Sequence, residues 1–79
     1  MENRMYVVKD NLRGFMLPYK AINDEVAKRD FIWACNNQEG IKEIKNDLDL
    51  YFWGIFEDET AEHKGTMELL IKGNSVQEV

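Results

Sequence analysis

The most constraining feature of this sequence is an apolar run with large side chains on both of its alternating faces. The run occupies residues 50–56 and reads LYFWGIF. Because successive side chains of a strand point to opposite faces, the run predicts one face formed by Leu50, Phe52 and Phe56 and a second formed by Tyr51, Trp53 and Ile55. Both faces must then be covered. A single helix covers only one, so the other needs more of the same chain, a second subunit or a ligand.

Shorter patterns before this run predict a hairpin and a helix. Residues 5–8 and 15–21 are rich in aromatic and β-branched side chains, and the turn residues 10–14 lie between them. Pro18 has no amide proton, which predicts an edge position or a bulge in the second strand. Asn23 is the predicted helix N-cap, and the apolar face that follows is formed by Ala27, Phe31, Ala34 and Cys35.

A last strand is predicted over residues 66–72, where Met67, Leu69 and Ile71 alternate with other side chains. The predicted fold class is therefore α+β: a small antiparallel sheet with one main helix, in the order strand, strand, helix, strand, strand. We expect a single domain over residues 1–73 and a frayed tail over residues 74–79.

A chain of 79 residues has a thin core and few means of reinforcing it. Its one cysteine, Cys35, excludes an intrachain disulfide, and one cysteine with one histidine cannot complete a structural zinc site. Good packing, completed by a homodimer interface, is the natural expectation. We expect no metal and no cofactor.

The sequence has neither an export signal nor an apolar stretch of the ~20 residues that cross a bilayer. A lone thiol and no export signal predict a protein of the cytoplasm with no membrane partner.

The charge is unevenly divided along the chain. Residues 1–29 carry six basic and four acidic side chains, whereas residues 30–79 carry four basic and eleven acidic ones. The net charge of −5 opposes binding to nucleic acid, whose affinity comes largely from phosphate neutralisation. Only the N-terminal half can present a basic face.

Aromatic side chains near these basic residues allow two interpretations. They are either core or dimer interface, or a platform on which single-stranded nucleic acid stacks its bases. In the second interpretation, the predicted phosphate-binding residues are Arg4, Lys9, Arg13, Lys20, Lys28 and Arg29. The predicted stacking residues are Tyr19, Tyr51 and Trp53.

No catalytic motif is recognisable, so we expect a binding protein rather than an enzyme. Cys35 and His63 can form a nucleophile–base pair only if the fold brings them together. The acidic residues around position 58 are expected to form a solvated hairpin tip, because they lack the ligand spacing of a calcium loop.

Three blocks of residues also resemble a known family. They are Asp10 with Gly14-Phe15 and Pro18-Tyr19-Lys20-Ala21, then Asn23, Ala27, Arg29 and Phe31, then Asp49-Leu50-Tyr51, Gly54 and Phe56-Glu57-Asp58-Glu59-Thr60. In this order and spacing, residues 6–60 resemble the small nonstructural proteins of microviruses, in particular gokushovirus-type phages with single-stranded DNA genomes.

The resemblance implies a non-enzymatic phage protein in the cytoplasm of a bacterial host. Its implied role is to bind single-stranded DNA or to assist the switch from genome replication to packaging, with a phage or host replication or packaging protein as a further partner. The alternative that the residues leave open is a dimeric protein-interaction module, which docks a host or phage protein through the aromatic strand and the acidic turn.

Overall fold

The structure is a computed structural model in which residues 1–77 are described. Within that range the strands are β1 (Glu2–Asp10), β2 (Gly14–Phe15), β3 (Tyr19–Ala21), β4 (Leu48–Glu57) and β5 (Glu62–Lys72), and the helix is α1 (Asp24–Asn37). Short 3-10 turns, Lys45–Asp47 and Gly73–Ser75, precede β4 and follow β5. The predicted α+β class is confirmed, and the predicted order holds with the second strand divided into β2 and β3.

All strand pairs are antiparallel, and the sheet order is β2-β1-β4-β5. β3 also pairs with β1, so β2 and β3 form one interrupted edge. Pro18 lies in the gap between them, where it needs no ladder hydrogen bond. The edge position and the break that Pro18 predicted are therefore both present.

The helix begins where the sequence predicted. The Asn23 side chain accepts a hydrogen bond from the Val26 amide at 2.8 Å, which satisfies one of the free amides of the first turn. Ala27, Phe31 and Cys35 are buried against the sheet. Their partners across the core are Tyr6 of β1 and Leu48, Leu50 and Phe52 of β4.

A bulge in β4 corrects the predicted division of the apolar run. Met5 of β1 lies opposite Gly54 while Tyr6 lies opposite Phe52, so Trp53 is an extra residue in the strand. Beyond the bulge the alternation is shifted by one residue. Ile55 therefore packs against the core with Leu50 and Phe52, and Phe56, which was predicted to share a face with those two residues, lies on the opposite side.

The end of the chain also departs from the prediction. The frayed tail was expected from residue 74, yet Val76 is 8% exposed and belongs to the core. Lys45 Nζ donates to the Val76 carbonyl at 3.2 Å, which ties this segment to the turn before β4. Residues 78 and 79 of the predicted tail lie outside the described residues.

Candidate functional site

The side of the sheet opposite α1 carries four partly or largely exposed aromatic side chains, those of Phe15, Tyr51, Trp53 and Phe56. Residues that lie opposite each other in adjacent strands share a face of the sheet. Four such rows cross this side: Phe15–Lys9–Asp49–Lys72, Val7–Tyr51–Leu69, Lys20–Met5–Gly54–Gly65 and Asn3–Phe56–His63. These residues, with Trp53 and Met67, form what we call the open face. Within residues 1–77, the only helix longer than three residues is α1, and it packs on the other side.

Trp53 lies at the centre of the open face. It borders one depression with Val7, Phe15, Pro18 and Met67, and a second with Met5, Phe56 and His63. Its ring centroid is 4.1 Å from that of His63, and the Trp53 carbonyl is 3.0 Å from His63 Nε2. These contacts hold the two rings together, and Trp53 remains partly exposed.

A second aromatic pair lies beside the first. Phe15 of β2 and Tyr51 of β4 meet edge to face across β1, with ring centroids 6.2 Å apart. Phe15 is 56% exposed because it lies on the short edge strand. The two pairs together provide flat apolar surface of the kind on which unpaired bases stack.

The charged side chains of the open face are mostly basic. Lys9, Lys20 and Lys72 belong to its rows, and Lys9 Nζ is 5.5 Å from the centroid of the Phe15 ring. The one carboxylate in these rows, Asp49, is 7% exposed and accepts a hydrogen bond from Asn11 Nδ2 at 3.0 Å. The open face is therefore locally positive although the chain as a whole is acidic.

The exposed acidic residues lie elsewhere. Those of α1, of the segment after it and of the turn between β4 and β5 include Glu25, Asp30, Glu39, Glu43, Asp58 and Glu59. Glu2, Glu62 and Glu68 of the strands are on the helix side of the sheet. The carboxylates of α1 are separated from the open face by the sheet. Asp58 of the turn borders the open face, since it accepts a hydrogen bond from Asn3 at 3.2 Å, but it is paired with the Met1 ammonium.

The predicted site residues divide between the two sides of the sheet. Lys9, Lys20, Tyr51 and Trp53 lie on the open face, and Arg13 lies in the exposed turn between β1 and β2. The structure brings Lys9, Lys20, Tyr51 and Trp53 to one side, and it leaves Arg13 in the turn that joins β1 to the edge strand β2. It places the remaining four in the helix layer: Arg4, Tyr19, Lys28 and Arg29.

Arg4 joins β1 to the start of α1. Its guanidinium donates to Asp24 Oδ1 at 2.8 Å and to the Tyr6 hydroxyl at 3.0 Å, and the same hydroxyl donates to Asp24 at 2.6 Å. The hydrogen bonds from Tyr6 and Arg4 lower the pKa of the Asp24 carboxyl. Arg4 also lies 4.2 Å from the centroid of the Phe52 ring. Its charge is engaged within the fold.

Tyr19, Lys28 and Arg29 have partners in the same layer. Tyr19 packs against the core with its ring 6.3 Å from that of Tyr6, and burial raises the pKa of Tyr19 to about 12. Lys28 Nζ lies 3.5 Å from Glu25 Oε1, and Arg29 Nε lies 3.4 Å from Asp30 Oδ1.

Four aromatic or basic residues of the open face were not among the predicted site residues: Phe15, Phe56, His63 and Lys72. The short turn predicted at residues 10–14 was enough to place Phe15 opposite Lys9. The positions of His63 and Lys72 depend on the register of β5 against β4, which the sequence does not signal.

Two other groups bear on chemistry. Cys35 is buried on α1, where desolvation raises the pKa of its thiol. His63 lies on the far side of the sheet, so the two side chains do not meet.

The carboxylates of Glu57, Asp58 and Glu59 lie within 4.8 Å of one another. The Met1 ammonium nitrogen lies 2.5 Å from Glu57 Oε1 and 2.8 Å from Asp58 Oδ1. Its hydrogen bonds to Asp58 and Glu57 raise the pKa of this ammonium group to about 10.

In the described part of the chain, no helix is both long enough and apolar enough to cross a membrane.

Comparison with known proteins shows the family of the chain. Neither the curated proteins nor the solved structures include a significant match. A family model described as phage ORF5 protein matches residues 3–76, a range that contains every strand of the sheet except the first residue of β1, together with α1. The chain therefore belongs to the phage ORF5 protein family.

Proposed function

We propose that this phage protein binds single-stranded DNA on the open face and catalyses no reaction. The observation that carries the proposal is the composition of that face. Trp53, Tyr51 and Phe15 lie among lysines, and the single carboxylate there is buried and hydrogen-bonded. Aromatic platforms beside cations are what sequence-tolerant binding of single strands requires.

The shape of the site favours single strands over duplex. In a duplex the bases are stacked on one another and present only their edges, whereas a single strand can lay a base flat on Trp53 or Phe15. The few lysines of the open face allow only a small number of phosphate contacts. We therefore expect modest affinity that falls as salt is added.

The role in the phage cycle is proposed from the family and from the resemblance to microviruses. Membership of a phage protein family supports action within an infected bacterial cell. If the phage is a microvirus, its genome is itself single-stranded DNA. The protein would then bind that genome in the host cytoplasm, at or before the change from replication to packaging.

The alternative function is docking of a phage or host protein through the same aromatic strand and the acidic turn. The observation that favours it is the exposure of Met67 and Leu69, 47% and 44%, at the β5 side of the open face. Apolar side chains of this kind are buried more often by proteins than by nucleic acid.

The two tryptophans provide the test. Trp53 is on the open face, whereas Trp33 is 60% exposed on α1, the helix that covers the other side of the sheet. Replacing Trp33→Phe leaves Trp53 as the single tryptophan, and replacing Trp53→Phe leaves Trp33. Oligothymidine is titrated into each variant while tryptophan fluorescence is recorded, and binding is followed independently by the anisotropy of a labelled oligonucleotide.

If bases stack on the open face, the W33F variant loses fluorescence on titration, and the loss is reversed by salt. The W53F variant keeps its fluorescence at oligonucleotide concentrations where anisotropy still reports binding. No anisotropy change with either variant at low salt would overturn the proposal. If the chain binds no DNA but a pull-down recovers a phage or host protein, the docking alternative is favoured.

A further inference from the structure

The two edges of the sheet differ sharply. The edge formed by β2 and β3 is short and is interrupted at Pro18, which is a common way to block pairing with another chain. The edge formed by β5 has eleven residues and pairs, within residues 1–77, only with β4. Its other side presents backbone amides and carbonyls that an additional strand can pair with.

Two opposite charges, Lys64 and Glu68, lie four residues apart within β5. Lys72 follows an irregularity in the pairing at Leu70 and lies on the open face. Lys64 lies opposite Ile55 and Glu68 opposite Phe52, so both are on the helix side of the sheet. Both are exposed, and the ion pairs of the described residues include neither of them.

This pattern discriminates among the ways in which β5 can pair with a second β5. Pairing centred on Glu68 places Glu68 of one chain opposite Glu68 of the other, which is unfavourable because two carboxylates face each other. Pairing centred on Thr66 places Lys64 of each chain opposite Glu68 of the other. It also extends over residues 62–70, which is most of the strand.

We propose that two copies of this chain pair through β5, antiparallel and centred on Thr66. Residues that face each other in this register share a side of the sheet, so both helices lie on one side. Both open faces lie on the other, next to each other. His63 of one chain meets Leu69 of the second there, and Gly65 meets Met67, which covers part of the exposed apolar surface at this edge.

The expected association is weak and reversible. One pair of strands buries less surface than the roughly 1,600 Å² of a standard protein interface. We therefore expect dissociation constants on the order of tens of micromolar, measurable by sedimentation equilibrium without nucleic acid. Because DNA is absent, the result does not depend on the proposed function.

Charge reversal tests the register. In the Lys64→Glu variant, the new carboxylate of each chain faces Glu68 of the other chain. In the Glu68→Lys variant, the new ammonium group of each chain faces Lys64 of the other. Each single change should weaken dimerisation about tenfold or more. The double variant K64E/E68K restores opposite charges at both positions and should recover the original dissociation constant.

Lys42→Glu is the matched control, because Lys42 is exposed in the segment between α1 and β4. It changes the net charge as Lys64→Glu does and should leave dimerisation unchanged. Circular dichroism of each variant verifies that the fold is retained. Protein that stays monomeric at several hundred micromolar overturns the proposal, and so does a dimer that responds to neither single reversal.

Discussion

Asp24 shows how one side chain can serve both a helix and a sheet. It lies in the first turn of α1, where the helix dipole favours a carboxylate, and it accepts hydrogen bonds from Arg4 and Tyr6 of β1. Arg4 was a predicted phosphate contact, but its partners make it a structural residue. The basic residues that remain available for a ligand are those on the open face.

We expect Asp24→Asn to lower the free energy of unfolding at pH 7 by about 1 kcal/mol, because the ion pair is partly exposed and screened. The pKa of Asp24 is lower in the folded chain than in the unfolded chain. Its contribution is therefore complete above the unfolded value of about 4 and is lost as the pH falls through the folded value.

Urea unfolding at pH 7 and at pH 2–3 measures this difference. Wild type should be more stable than D24N at pH 7, and the gap should narrow in acid. Asp30→Asn removes an exposed carboxylate from the same helix and serves as the control. A difference in unfolding free energy between wild type and D24N that is the same at both pH values would contradict the stabilising role of the ionised Asp24 carboxylate.

At the scale of elements, the bulge in β4 determines which aromatic side chains reach the open face. Gly54 has φ +118°, a conformation that side chains rarely adopt, and a Cβ there would lie 2.1 Å from the Lys64 carbonyl oxygen. The bulge therefore requires glycine at this position. It places both Trp53 and Phe56 on the open face and leaves Ile55 for the core.

Gly54→Ala should consequently lower the free energy of unfolding by about 2 kcal/mol or more, since it combines backbone strain with a close contact. Gly40 provides the comparison. It also has a positive φ, +84°, but a Cβ there would meet no atom within 4 Å. Gly40→Ala should lower the free energy of unfolding by about 1 kcal/mol. If urea unfolding shows that the two variants lose the same unfolding free energy, the β4 bulge tolerates a side chain at position 54.

At the scale of the whole molecule, charge is separated between the two sides of the sheet. Lys9, Lys20 and Lys72 lie around the aromatic residues of the open face, whereas most exposed carboxylates lie on the helix side of the sheet and in the β4–β5 turn. A net charge of −5 therefore conceals a basic surface. The position of a basic residue, more than its number, should determine its effect on DNA binding.

Two matched double reversals test this separation. Arg13→Glu with Lys20→Glu alters the surroundings of the open face, whereas Arg29→Glu with Lys42→Glu makes the same change of charge in α1 and the segment after it. We expect the first variant to bind oligothymidine at least about tenfold more weakly. The slope of its binding against salt should fall by about 0.7 for each phosphate contact that is lost.

The second variant should keep most of the affinity and an unchanged slope. Anisotropy titrations from low to moderate salt measure both quantities. If the two variants lose affinity equally, total charge governs binding and the open face is not the site.

The sequence by itself determined the features that depend on neighbouring residues. Asn23 caps the helix through an amide three residues away, and Pro18 interrupts the strand in which it lies. The α+β class and the order of elements follow from such local patterns, because helical and strand periodicities are properties of short segments.

Tertiary structure alone decided the features that depend on how distant strands align. The bulge at Trp53 and Gly54 exchanged the faces of Ile55 and Phe56, and the fold tied Val76 to the core. It also separated Arg4 from Lys9, which lie on the same strand. A shift of one residue in register moves a side chain to the other side of a sheet, and that register is set by contacts between segments far apart in the chain.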